Sequence, residues 1–206
     1  MEPKGSEAEF WRGVDYSSRF FMGDADVQRA LVKIVAELEA AQIPYAIAGA
    51  MALNRYGYRR VTTDVDLLLT KAGLETLKER ILGRGYLEKF PGSKGMRDTE
   101  HNVGIDILIA GDFPGDGKPK PVSFPDPAAV AVADGSARYL PLPKLIELKL
   151  ASGLSAAHRV KDIADVVELI RAVKLPRELG AGLDASVRGK YDELWLAVQA
   201  AGDEDY

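Results

Sequence analysis

The sequence predicts an α+β fold, a small mixed β-sheet flanked by helices and followed by a C-terminal helical segment. Three observations lead there. Up to about residue 141, short β-branched runs alternate with amphipathic stretches of helical period; at 45–58 a strand, a glycine and a helix follow directly on one another; beyond 142 only helical periodicity is found. With 206 residues, 47% hydrophobic and 28% charged, the chain can form one domain of ordinary size or a core with a smaller helical appendage.

Residues 1–25 carry Phe10, Trp11, Tyr16, Phe20 and Phe21 without clear period and are expected to pack as an irregular arm or short helix. From Asp26, read as an N-cap, Val27, Leu31, Ile34, Val35, Leu38 and Ala41 recur at helical spacing until Pro44. "YAIAGA" is a short buried strand running into Gly49, and "AMALNRYGY" the helix after it. A strand at 64–69 precedes a helix with Leu74, Leu77, Ile81 and Leu82 on one stripe, stopped by Gly83 and Gly85. "PGSKGMRDTEHN" reads as a polar loop, "VGIDILIAG" as an alternating strand, the proline-rich "DFPGDGKPKPVSFPDP" as a loop and "ARYLPL" as a last strand. "PKLIELKLAS", "VKDIADVVELIRAV" and "ASVRGKYDELWLAVQAA" read as helices. The expected division is an arm at 1–25, a mixed core at 26–141 and a helical domain at 142–206, with the boundary at Leu140 to Pro143.

Composition excludes several function classes. The absence of cysteine removes disulfides and thiolate metal sites, and two histidines, His101 and His158, are too few for a His-rich zinc centre. Any metal therefore needs oxygen ligands. A net charge of -4 argues against a broadly basic nucleic-acid-coating surface, leaving only local basic clusters at Arg55, Arg59 and Arg60 and at Arg159 and Lys161. No apolar run is long enough to cross a bilayer, and "MEPKGSEAEF" has neither the basic start nor the apolar centre of a signal peptide, so a cytoplasmic protein without a membrane partner is expected.

The chemistry concentrates in "VTTDVDLLLT". In a strand, positions i and i+2 share a face with backbones roughly 6.6 Å apart, so Asp64 and Asp66 can converge on one cation. Two such carboxylates repel and are costly to bury, and a divalent cation with oxygen ligands relieves both problems. Magnesium suits them because it takes one or two carboxylates and fills other positions with water and phosphate. Taken alone, the pair is also compatible with solvent-facing aspartates or partners of Arg59 and Arg60. The context adds Gly49 upstream, at a strand-to-helix turn suited to phosphate, and Asp106 inside a second strand. Three carboxylates beside a phosphate cradle are the layout of two-metal phosphoryl or nucleotidyl transfer.

"IAGAMALNRYGYRRVTTDVDLLL" resembles the signature of the DNA polymerase β-like nucleotidyltransferase superfamily, with Gly49, Ala50, Asp64, Asp66 and Asp106 at the matching positions. Downstream, "LPLPKLIELKLAS" and "HRVKDIADVVELI" are similar to AbiEii/AbiGii toxin-type nucleotidyltransferases through Lys149, Arg159, Lys161, Asp162 and Asp165. The resemblance spans about 43–171 and implies a nucleotidyltransferase fold with its catalytic core at 26–141. One position departs from the pattern: Ala50 stands where the family has serine or a second glycine, leaving only backbone N–H groups for phosphate.

What the resemblance implies is transfer of a nucleoside monophosphate from a nucleoside triphosphate to an acceptor hydroxyl. Asp64, Asp66 and Asp106 would be catalytic and hold two Mg2+ ions; Gly49, Ala50, Lys149, Arg159, Lys161 and Asp162 would bind the nucleotide. Lys149 lies beside the side of its helix marked by Leu145, Leu148 and Ser152, from where its ammonium can snorkel to a cleft. His101 is expected to be a solvent-facing loop residue. The implied role is the toxin of a toxin-antitoxin pair, acting on RNA such as a tRNA 3′ end and held by an antitoxin protein. The alternatives are a small-molecule acceptor, as in aminoglycoside nucleotidyltransferases, a protein acceptor, or an inactive nucleotide- or partner-binding module.

Overall fold

The computed structural model describes residues 7–21 and 25–202, with side chains from residue 12 onward. Phe10 and Trp11 therefore lie outside the described side chains. The elements are α1 (Glu7–Phe21), α2 (Asp26–Ala40), β1 (Tyr45–Ile47), α3 (Gly49–Arg55), β2 (Asp64–Leu69), α4 (Lys71–Ile81), β3 (Tyr86–Glu88), β4 (Met96–Asp98), β5 (Val103–Ile109), α5 (Pro127–Val130), β6 (Val132–Asp134), β7 (Ala137–Tyr139), α6 (Leu142–Ser155), α7 (Val160–Val173) and α8 (Ala185–Ala201). Among the described residues the strands form one seven-stranded mixed sheet in the order β3-β4-β5-β2-β1-β7-β6. The architecture is α+β, as the sequence predicts.

Strand parity explains both faces of the sheet. Val65, Leu67 and Leu69 of β2, with Ile105, Ile107 and Ile109 of β5, turn to one side and pack under α2 and α4. Fully burying each such side chain contributes roughly 1.5–3 kcal/mol. The opposite parity, with Leu68 of β2 and Ala46 of β1, joins the core formed by α6, α7 and α8. Asp64, Asp66 and Asp106 share that second parity. They stand on the face that the C-terminal helices cover. Helices α6 and α7 come close at Gly153, where a Cβ would lie 2.5 Å from the Ile163 side chain.

Several local expectations are corrected. Asp26 is the first residue of α2 rather than its N-cap, which is Ala25; the Asp26 carboxylate accepts a hydrogen bond from Arg29 instead. Within the expected arm, Glu7–Phe21 takes the helical of the two forms expected, and its Phe20 is buried in the core. "PGSKGMRDTEHN" is not all loop: Met96–Asp98 forms β4, which pairs with both β3 and β5 and buries Met96 and Asp98. β6 also joins the sheet, against β7. Both are three-residue strands, too short for a period-2 pattern to stand out from the turns around them.

Candidate active site

A cavity of about 280 Å³ opens between β2 and the helices α6 and α7. Its lining includes Gly49, Ala50, Asp64, Asp66, Lys149, Arg159, Lys161, Asp162 and Asp165. Residues far apart in sequence thus meet around one space. Asp106 does not line the cavity. It sits directly beside Asp66 in the parallel β2–β5 register, and its carboxylate accepts from the Lys89 ammonium at 2.6 Å.

Gly49 is required by geometry. Its φ is +55°, and a Cβ there would coincide with the Asp66 carboxylate oxygen Oδ2. The backbone is drawn in by β1–β2 pairing, which continues as a hydrogen bond from the Ala48 N–H to the Asp66 carbonyl at 2.9 Å. Only glycine combines a left-handed turn with this close approach. Ala50 is buried in the first turn of α3, and its carbonyl accepts from Asn54 at 2.8 Å.

Among the described residues, no side chain pairs with the Asp66 carboxylate. Burial pushes its pKa from 3.8 up to about 6; the charges of Asp64 and Asp106 add to the rise, and Lys149 and Arg60 oppose it. Asp64 accepts a hydrogen bond from the Thr62 hydroxyl. An oxygen-only donor set, with an unpaired half-buried carboxylate repelled by two neighbours, fits a hard divalent cation.

Across the cavity the charges are interlocked. The Lys149 ammonium donates to Asp165 at 2.7 Å and to Asp162 at 3.2 Å, and the Ser152 hydroxyl donates to Asp162 at 2.6 Å. Arg60 donates to both oxygens of buried Asp165 at 2.8 Å, tying the segment before β2 to α7. Arg159 is half-exposed, with its guanidinium 3.8 Å from Asp162. Arg60 therefore belongs to the cavity, and Arg55 pairs with Asp134, so these two do not form a free basic patch. Thr62, Ser152 and Arg60 escaped sequence reasoning as site residues. Only Arg60 carried a signal, as part of "RYGYRR".

A second acidic group lies on the α2 side of the sheet. Ligand atoms of Asp98, Glu100 and His101 lie within 4.8 Å of one another, close enough to hold a metal ion. Lys33 already places an ammonium there, 2.6 Å from Asp98 and 2.8 Å from Glu100. His101 is thus not a solvent-facing loop residue: its side chain is 14% exposed and its Nδ1 lies 2.6 Å from Asp98.

No protein-family model matches the chain, and no curated protein matches it. Solved structures do. The crystal structure of ANT(2″)-Ia in complex with adenylyl-2″-tobramycin superposes with a TM-score of 0.50 at 16% identity, covering 84% of this chain and 97% of that one. A candidate nucleotidyltransferase from H. pylori gives 0.48 at 18% identity, covering 84% and 92%. The seven-stranded mixed sheet, flanked by helices and carrying the aspartates of β2 and β5 side by side, is a nucleotidyltransferase fold.

Proposed function

We propose that the protein transfers a nucleoside monophosphate from a nucleoside triphosphate to an acceptor hydroxyl, releasing pyrophosphate. One observation carries this reading: Asp64 and Asp66 line the same cavity as Lys149, Arg159 and Lys161, with Asp106 beside Asp66. Asp64, Asp66 and Asp106 would hold Mg2+, two ions in this reading. When bound, the metal activates the acceptor oxygen and neutralises charge developing on the leaving pyrophosphate. Lys149, Arg159 and Lys161 counter the triphosphate charge, while Asp162 orients Lys149. Gly49 and Ala50 offer backbone N–H groups at the start of α3, without the hydroxyl that a serine at 50 would add. Asp106, beside Asp66 in the sheet, would help take the acceptor proton once Lys89 leaves its carboxylate.

The preferred acceptor is a small molecule. The net charge of -4 and the carboxylate partners of Arg55 and Arg60 disfavour a tRNA-sized polyanion. The ANT(2″)-Ia structure, 97% of whose chain is covered, is in complex with adenylyl-2″-tobramycin. A second reading, a toxin that nucleotidylates RNA and is countered by an antitoxin, is supported by the motif residues Lys149, Arg159, Lys161 and Asp162 converging on the cavity. Incubating the protein with each labelled nucleoside triphosphate, Mg2+ and either total RNA or a panel of hydroxylated small molecules separates them, with Asp66→Ala as control. Label on a small acceptor supports the first reading and label on RNA the second. Absence of label in both, with Mg2+-dependent nucleotide binding intact, turns the reading to a non-catalytic nucleotide-binding module.

A further inference from the structure

The N-terminal helix reaches the carboxylates through one buried residue. Thr62 is 7% exposed and lies in the irregular stretch between α3 and β2, where no sheet ladder fixes its position. Its hydroxyl and its backbone carbonyl are nevertheless engaged. Its hydroxyl donates to Asp64 Oδ1, and its carbonyl accepts from the Tyr16 hydroxyl at 2.7 Å, across 46 residues of sequence. Tyr16 is itself held by α1, whose Phe20 is buried in the core and whose Phe20 carbonyl accepts from Gln28 at 2.9 Å. The chain of contacts therefore runs from a packed helix, through a backbone carbonyl, to one oxygen of a cavity carboxylate.

We infer that Tyr16 and Thr62 are positioning residues for Asp64, so that α1 helps set how tightly the carboxylates hold a divalent cation. This rests on the reading that Asp64, Asp66 and Asp106 bind that cation. A hydroxyl donor can serve one carboxylate oxygen at a time, and occupation of Oδ1 leaves Oδ2 available to a metal in a defined orientation. Without the donor, Asp64 loses a charge-assisted hydrogen bond and is free to rotate away from Asp66, which repels it. Residues that orient metal ligands in this way typically contribute about 10–100-fold in metal affinity. A purely structural role makes a different prediction: loss of either hydroxyl lowers stability and leaves cation affinity unchanged.

Mn2+ binding followed by electron paramagnetic resonance, with urea unfolding in parallel, distinguishes the two without requiring turnover. Thr62→Val is expected to weaken Mn2+ binding about tenfold, and Thr62→Ser, which keeps the hydroxyl, to stay within about twofold of the native protein. Tyr16→Phe is expected to weaken binding about threefold, and the double variant to be no weaker than Thr62→Val, because both act through one chain. Native-like Mn2+ affinity in folded Thr62→Val overturns the inference. A lower unfolding midpoint for Tyr16→Phe with native Mn2+ affinity removes α1 from it. Equally weak Mn2+ binding by native protein and Asp66→Ala instead overturns the cation reading, and the inference falls with it.

Discussion

Asp66 and Asp98 are both aspartates held in strands, with opposite electrostatic outcomes. Among the described residues Asp66 has no side-chain partner, and burial raises its pKa to about 6, so folding raises its affinity for a proton. The linkage sign is therefore negative: this group costs stability increasingly as pH rises from about 4 to 6, by up to roughly 3 kcal/mol above that window. In chelator at pH 7.5, as a working condition of about that value, Asp66→Asn should raise the thermal midpoint, and the gain should shrink as pH falls below about 6. For Asp98, burial alone would raise the pKa, but Lys33 and His101 overcome it and the net shift is downward. Its stabilising contribution is present above pH 3.8 and is lost as pH falls through the lowered value. Asp98→Ala leaves Lys33 only the exposed Glu100 as a partner and should cost roughly 1–3 kcal/mol in urea unfolding. At Gly49, alanine meets both the left-handed backbone and the Asp66 carboxylate. Gly49→Ala should lose roughly 1–3 kcal/mol from the backbone alone and abolish Mg2+-dependent nucleotide binding, readable by calorimetry.

At the level of elements, one buried carboxylate, Asp165, ties α7 both to the segment before β2 and to α6, and Asp162 adds a second tie to α6. Asp165 is 3% exposed and accepts from both Arg60 and Lys149. Removing it takes away the only carboxylate that the Arg60 guanidinium is bonded to among the described residues and leaves that cation beside Lys149, which keeps Asp162 alone, whereas removing either cation leaves Asp165 one partner. Asp165→Ala should therefore destabilise by roughly 3–5 kcal/mol, clearly more than Arg60→Met, as measured by urea midpoints at equal slope. The same elements explain what sequence reading caught and missed. α2, α7 and α8 carry enough helical turns for their apolar stripes to be read directly, and α7 and α8 match their expected spans. β4 and β6 are only three residues long, and β4 is stabilised by pairing on both sides rather than by its own pattern. Nothing in "KGMRDTEH" announces that two strands are waiting for it.

The whole molecule places two cores on the two faces of one sheet, and the cavity opens where α6 and α7 cover the carboxylate-bearing face. A ligand that bridges sheet and helices should therefore stabilise both together. At 100 times its dissociation constant a ligand contributes about 2.7 kcal/mol, which for a chain of this length raises the thermal midpoint by roughly 5–10 °C. Thermal scanning should show that rise with Mg2+ and a non-hydrolysable nucleoside triphosphate together, a much smaller one with either alone, and none in Asp66→Ala.

The sequence by itself determined the α+β class, the long helices and the identity of the acidic positions, because periodicity and unusual carboxylates in apolar runs are local signals. It also marked Gly49, whose left-handed turn is a property of one residue. Tertiary structure alone decided the rest. Parallel pairing of β2 with β5 set Asp66 beside Asp106, the packing of α6 and α7 brought Lys149 and Asp162 to the cavity, and long-range hydrogen bonds recruited Arg60, Thr62 and Tyr16. The physical reason is range. A single threonine, arginine or tyrosine carries no information about a partner 46 or 105 residues away until the chain has folded and burial obliges each polar group to find one.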